Sequence, residues 1–375
     1  MIDLAFKMIL DDKARFGITV LGVGFAVALV LVQVGLFFGL LENASVTIDR
    51  LDADLWVTAR NTPNVDFANP FPESYAYRVR SIPGVARADN LIVWYAVVSL
   101  PTGAKEQVVY YGLEDFPRWG FPWDVASGDP ADLRRGRYVM LDESAERRFG
   151  AFGSGDFREF QGVRLEIIGR TRGARSFTTS PIAFLDYGLA QSLAPDELSG
   201  RTTFIVVKLE EGADASAVAG EVRRRLPYND VYTRDDWASA SRRYWIESTG
   251  LGLTIFLTVF LGAMVGVVIV AQTLYASVAE HLPEFGTVKA LGGRDLDVYG
   301  IIAEQATFAA ALGYALGVGL ALALGPVLDG LDMRMVVTPT LYALVFLGTL
   351  ALCLAASTLS FRKVASLDPA IVFRG

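Results

Sequence analysis

An α-helical membrane protein with four transmembrane helices and one large α/β domain outside the membrane is the fold class this sequence predicts. Three observations predict it. Stretches free of Asp, Glu, Lys and Arg run from Phe16 to Leu41, Ser248 to Ala279, Gln305 to Leu328 and Met335 to Phe361, which is 26, 32, 24 and 27 residues. Hydrophobic residues make up 52% of the 375 and charged residues only 20%, a balance more apolar than that of soluble chains. Residues 42–247, between the first and second stretch, have the mixed polarity and strand-and-helix patterning of a folded aqueous domain.

A helix needs about 20 apolar residues to cross the hydrocarbon core, so all four stretches suffice. The first, with Lys7, Lys13 and Arg15 ahead of it, is longer than the apolar region of about 7–15 residues in a secretory leader. Leu40-Leu41-Glu42-Asn43-Ala44-Ser45 is also a poor small-residue cleavage site. Residues 1–41 are therefore expected to be an uncleaved cytoplasmic start and first span. Basic residues sit beside the first span, between the second and third (Lys289, Arg294) and after the fourth (Arg362, Lys363, Arg374), whereas the loop Asp329–Arg334 has one. The positive-inside rule then puts both termini and the loop at 280–297 in the cytoplasm and 42–247 outside. The remaining expected segments are 248–279, the second span; 298–328, the third; 329–338, a short outer loop; 339–361, the fourth; and 362–375, a cytoplasmic tail.

The second stretch, 32 residues, makes about 48 Å of helix against roughly 30 Å of hydrocarbon. Asp236–Trp245 upstream of it, and Val46, Ile48 and Leu51 beyond the first span, are expected to carry helices one and two above the membrane as a short stalk, the second helix forming a stiff rod. Gly35-x-x-x-Gly39, Gly262-x-x-x-Gly266 and Gly313-x-x-x-Gly317 allow close helix approach, though glycine is common in membrane helices anyway. Gln33 and Gln272 are expected to hydrogen-bond between helices. No intramembrane carboxylate relay is apparent, Glu304 lying at the cytoplasmic entrance of the third span, which argues against an ion-coupled carrier.

In the outer domain, Leu55–Ala59 reads as a strand, Pro72–Arg80 as a helix stopped by Ile82-Pro83-Gly84, and Leu91–Leu100 and Gln107–Leu113 as a hairpin about Pro101-Thr102-Gly103. Strands at 138–141, 163–168 and 182–184 and a helix at 143–149 follow, then a strand at 203–209, an amphipathic helix at 213–226 and a strand at 231–233. The simplest organisation is a split, porter-like βαββ…βαβ subdomain, 42–122 plus 201–247, with a β-rich insertion at 123–200. The arginine pairs at 134–135, 147–148 and 170–172 are interleaved with acids and read first as a solvated face, an anion surface being the alternative. Phe116, Trp119, Phe121 and Trp123 are either packing between the subdomains or a rigid loop for a partner or lipid.

Several function classes are excluded. A net charge of −7 argues against a nucleic-acid partner. The single cysteine, Cys353, rules out an intrachain disulfide or thiolate metal cluster, and the single histidine, His281, leaves little room for triad or multi-histidine zinc chemistry. No catalytic, cofactor or metal site is expected. There is no Gly-x-x-x-x-Gly-Lys-[Ser/Thr] phosphate loop, so any nucleotide binds elsewhere.

The cytoplasmic segment Glu284-Phe285-Gly286-Thr287-Val288-Lys289-Ala290-Leu291-Gly292-Gly293-Arg294 follows Pro283 and ends on two glycines, the pattern of a short helix across the membrane face. Phe285, Val288, Leu291 and Lys289 give it an amphipathic side. This string resembles the E-[IF]-G-x-x-[RK]-A-[LI]-G-[AG]-[RS] coupling segment of FtsX-like permeases, the group that includes MacB, LolC/LolE and DevC. The end of the chain, Ala365-Ser366-Leu367-Asp368-Pro369-Ala370-Ile371-Val372-Phe373-Arg374, is similar to the closing A-x-x-D-P-x-x-A-L-R of that family, with Val372 and Phe373 departing from Ala-Leu. One span, a large outer domain and three spans match along the whole chain. Leu51–Val57 and total length bring it nearest to DevC-like permeases without a fused ATPase.

The resemblance implies a homodimeric ABC transporter permease of the bacterial inner membrane, with separate ATPase subunits docked at the coupling helices and ATP bound there rather than here. It also implies, in many members, a periplasmic adaptor leading to an outer-membrane channel. Glu284, Phe285, Lys289, Leu291 and Arg294 are the expected ATPase contacts, and the second helix the transmitter of force. The rival reading is an FtsX-like, non-transporting regulator of a periplasmic hydrolase; a membrane sensor is disfavoured by three spans after the domain. Lipid, glycolipid, lipoprotein and peptide cargoes are all compatible.

Overall fold

The computed structural model describes residues 6–8, 11–178, 180–331 and 333–365. The closing motif at 366–374 lies outside them. The chain divides into two compact units, a membrane unit of residues 1–39 and 252–375 and a large domain of residues 40–251.

In chain order the helices are α1 (Lys13–Asn43), α2 (Val46–Arg50), α3 (Tyr75–Arg80), α4 (Glu146–Phe149), α5 (Tyr187–Leu193), α6 (Ala215–Arg225), α7 (Arg234–Glu247), α8 (Leu251–Glu280), α9 (Leu282–Ala290), α10 (Asp295–Gly330) and α11 (Pro339–Ala365). Four of them, α1, α8, α10 and α11, are long and apolar enough to cross a membrane.

Within the membrane unit, Val23, Val27 and Leu31 of α1 pack with Val270 and Leu274 of α8, Ala306, Ala310 and Ala321 of α10, and Leu341 and Ala356 of α11. All three small-residue pairs meet neighbours in the same chain. A methyl on Gly313 or Gly317 would stand 2.5–2.6 Å from Val23 or Val27 side-chain carbons, and one on Gly39 would overlap the Arg334 carbonyl oxygen. Gly317→Leu is therefore expected to separate α1 from α10 and to lower the detergent melting temperature by several degrees relative to Gly319→Leu, where nothing lies within 4 Å. Equal melting would contradict this packing. The two amides behave differently from expectation: Gln272 faces outward, Gln33 is half-buried, and neither forms a hydrogen bond among the described residues. The buried amide is Gln305, beside the Met8 sulfur at 3.7 Å.

The large domain is organised around strands β1 (Leu55–Ala59), β2 (Phe71–Pro72), β3 (Val85–Ser99), β4 (Lys105–Leu113), β5 (Val125–Ser127), β6 (Tyr138–Asp142), β7 (Phe157–Phe160), β8 (Val163–Thr171), β9 (Ile182–Asp186), β10 (Arg201–Thr202), β11 (Phe204–Leu209) and β12 (Asn229–Thr233). Ten form one sheet in the order β12-β1-β11-β3-β4-β9-β6-β8-β5, with β7 on β3 and β8, while β2 pairs β10. The stretch 123–200 thus does not stand apart with its own sheet. Its β9 runs parallel to β4, Tyr111 opposite Phe184, and extends the sheet of the flanking halves. Phe184 also meets Phe116, Phe121 and Tyr111 ring to ring, so the buried aromatic group joins the stretch 123–200 to the half that precedes it.

Alternation on β1 explains the layering. Leu55 and Val57 face α3 and α6, packing with Val79, Val218 and Val222, while Trp56 faces Val206 and Trp237 of α7. The helix expected from Pro72 begins only at Tyr75, because Phe71 and Pro72 pair with Thr202 and Arg201 as a short strand. Most of the arginine pairs resolve into ion pairs, Arg135 with Asp132 at 2.5 Å and Arg170 with Glu146 at 2.7 Å.

The expected single rod is instead two helices. Helix α7 ends at Glu247 and α8 starts at Leu251. Between them the Thr249 hydroxyl donates to the Trp245 carbonyl at 2.5 Å, and Gly250 takes a φ of +72°, left-handed backbone that stops a helix.

Candidate functional site

The turn between α8 and α10 begins at His281, which is buried and whose Nδ1 lies 3.4 Å from Glu284 Oε1. Helix α9 follows, with proline in its first turn and Glu284 at its positive end. Gly292 closes it with a φ of +94°, and a methyl on Gly293 would press within 2.7 Å of the Val288 carbonyl oxygen, so both positions require glycine.

Arg294 then caps α10, its backbone N–H donating to Asp297 Oδ2 at 2.8 Å. Lys289 reaches over the turn to Asp295 at 2.8 Å, its side chain only 12% exposed. Beneath, Phe285 is 1% exposed and packs with Met8, Val278, Val298, Ile301 and Ile302. At the end of α8, Glu280 forms an ion pair with Arg15, which also pairs with Asp12 at 3.2 Å.

The five expected contact residues therefore separate into two groups. Phe285 points inward and holds the helix down, so it offers no surface to another protein, and Lys289 is engaged within the turn. Glu284, Leu291 and Arg294 face outward. Leu291 is 84% exposed, and Leu296, which the sequence reading passed over, is 74% exposed; among the described residues, no large apolar side chain within the four long helices beyond Leu296 itself exceeds the 64% of Phe256. Exposed leucines are costly to solvate in water, and these two flank the start of α10 five residues apart in the chain. The available signal for Leu296 was its place two residues past the cap of a helix whose buried side starts at Val298.

The comparisons bear on both units. A family model described as MacB-like periplasmic core domain matches residues 16–225, and one described as FtsX-like permease C-terminal matches residues 256–369. The chain is similar to an uncharacterized ABC transporter permease of Mycobacterium tuberculosis (strain ATCC 25618 / H37Rv), 26% identical over 364 residues, covering 97% of this chain and 96% of the relative. It is also similar to the macrolide export ATP-binding/permease protein MacB of Psychrobacter arcticus, 24% identical over 251 residues, covering 63% of this chain and 37% of that protein. Among solved structures, the periplasmic region of MacB from Actinobacillus actinomycetemcomitans aligns at 13% identity with a TM-score of 0.40, covering 50% of this chain and 92% of that one.

Proposed function

This chain belongs to the ABC transporter permeases of the MacB/FtsX type, and from that premise we propose that it is the membrane subunit through which a separate ATPase moves the periplasmic domain. The observation that supports the reading is the turn at 281–297, anchored by buried Phe285 and leaving Leu291 and Leu296 exposed, which we read as the cytoplasmic handle. Burial of Phe285 and the ion pairs of Arg15 and Lys289 couple displacement of this handle to α8 and α10. Motion of α8 reaches the large domain along the chain through residues 248–250, where the helix is broken. ATP is hydrolysed by the partner, two copies of this chain form the permease, and the assembly resides in the bacterial cytoplasmic membrane. An adaptor and outer-membrane channel complete it where a second membrane is present.

The test is copurification with candidate ATPase subunits co-expressed from the same cell. The double variant Leu291→Asp, Leu296→Asp is expected to retain less than a tenth of the ATPase held by the wild type, since each carboxylate would have to enter an apolar pocket at a cost of about 1–3 kcal/mol. ATPase retained at the wild-type level would refute docking at this turn.

A further inference from the structure

A cleft of about 300 Å³ in the large domain brings together arginines from four separate chain positions, Arg80, Arg87, Arg118 and Arg134. The acids within it act as struts. Asp89 is 9% exposed; it takes the Trp119 indole N–H at 2.8 Å and Arg80 at 2.6 Å. Asp115 holds Arg118 through Nε at 3.0 Å and Arg134 at 3.2 Å.

These pairings use only part of each guanidinium. Arg118 is held by its Nε alone, leaving its terminal nitrogens open with the side chain 71% exposed. Arg87 lies over the Trp119 ring at 4.4 Å, pairs with Asp52 at 3.4 Å and keeps a buried Nε without a hydrogen-bond partner. Four guanidiniums thus stand among four carboxylates, Asp52, Asp89, Glu114 and Asp115, and it is their unused N–H groups rather than net charge that remain open. Planar forks fixed in position around a concave space, with N–H donors in excess of acceptors, fit a tetrahedral oxyanion.

We propose that this cleft binds a phosphate group, borne by a small soluble ester or by a lipid headgroup. The site stands on the large domain alone and does not depend on how the turn at 281–297 is used.

Full-length protein in detergent is titrated with glycerol 3-phosphate by calorimetry, and protein in nanodiscs containing phosphatidylglycerol or, as control, diacylglycerol is examined by native mass spectrometry. Saturable binding of the soluble ester assigns an aqueous ligand; preferential retention of phosphatidylglycerol without binding of the ester assigns a headgroup. In either case Arg118→Ala with Arg134→Ala is expected to weaken binding at least about tenfold, as loss of charge-assisted hydrogen bonds requires. Arg118→Lys with Arg134→Lys, which keeps the charge and removes the fork, is expected to weaken it as well while melting like the wild type. Absence of saturable binding for both probes, or wild-type binding by the alanine pair, overturns the site.

Discussion

Replacing Asp66 with Asn is expected to stabilise the large domain at pH 8 and to leave it nearly unchanged at pH 4. Asp66 is 3% exposed, accepts a hydrogen bond from the Phe177 backbone, and has no partner for its Oδ2 among the described residues. Burial raises its pKa from 3.8 to about 7, the Phe177 hydrogen bond offsetting part of the rise. Its charge in turn adds to the burial that pushes the Tyr95 and Tyr111 hydroxyls up. A carboxyl whose folded pKa lies above its unfolded one favours the folded state fully below the unfolded value, and that contribution is lost as pH rises through the folded value. The wild-type domain should accordingly weaken between pH 4 and pH 7. Each pKa unit corresponds to about 1.4 kcal/mol, so the full effect reaches about 4 kcal/mol.

The position of Asp66 gives this titration a mechanical reading. Phe177, whose N–H it holds, stacks on Trp245 with ring centroids 3.9 Å apart, and the adjacent Val65 N–H donates to Ser241 Oγ at 3.4 Å. Both partners are on α7, the helix that precedes the joint at 248–250. Thermal melts of wild type and Asp66→Asn from pH 5 to pH 8 check the expectation: the two curves should diverge as pH rises, and parallel curves would show that Asp66 is ionised throughout without cost.

Truncating Phe285 to alanine is expected to release the turn at 281–297 without unfolding the membrane unit. Removing a fully buried Phe costs about 3–5 kcal/mol in a well-packed core. Its contacts, with Met8, Val278, Val298, Ile301 and Ile302, form a cluster separate from the one that joins α1, α8, α10 and α11. Hydrogen exchange across 281–297 should rise by two or more orders of magnitude while the spans keep their protection, and coupled ATP hydrolysis should fall with it. Uniform loss of protection along all four long helices would mean that the two clusters fold as one.

The division between what could be read and what had to be seen follows from the range of the forces involved. Length and continuous apolarity are local properties, and a bilayer demands them of each helix separately, so the four spans were legible as strings of residues. The strand–helix alternation of 55–59, 91–113 and 203–226 was equally local, as was the Pro283 to Gly293 punctuation of the turn at 281–297. Which way a side chain points on a nine-residue helix is set by what packs beneath it. Phe285 and Leu291 carry similar apolar character in sequence, but only the contact with Met8 and the start of α10 made one an anchor and left the other exposed. The joining of 123–200 to the main sheet through β9 and β4 pairs residues some seventy positions apart, beyond any periodicity. The break at 248–250 was masked because an uncharged run looks the same whether or not Gly250 leaves the helical backbone. Composition alone determined that this protein lives in a membrane; tertiary packing decided which residues of its turn at 281–297 are buried and which stand exposed.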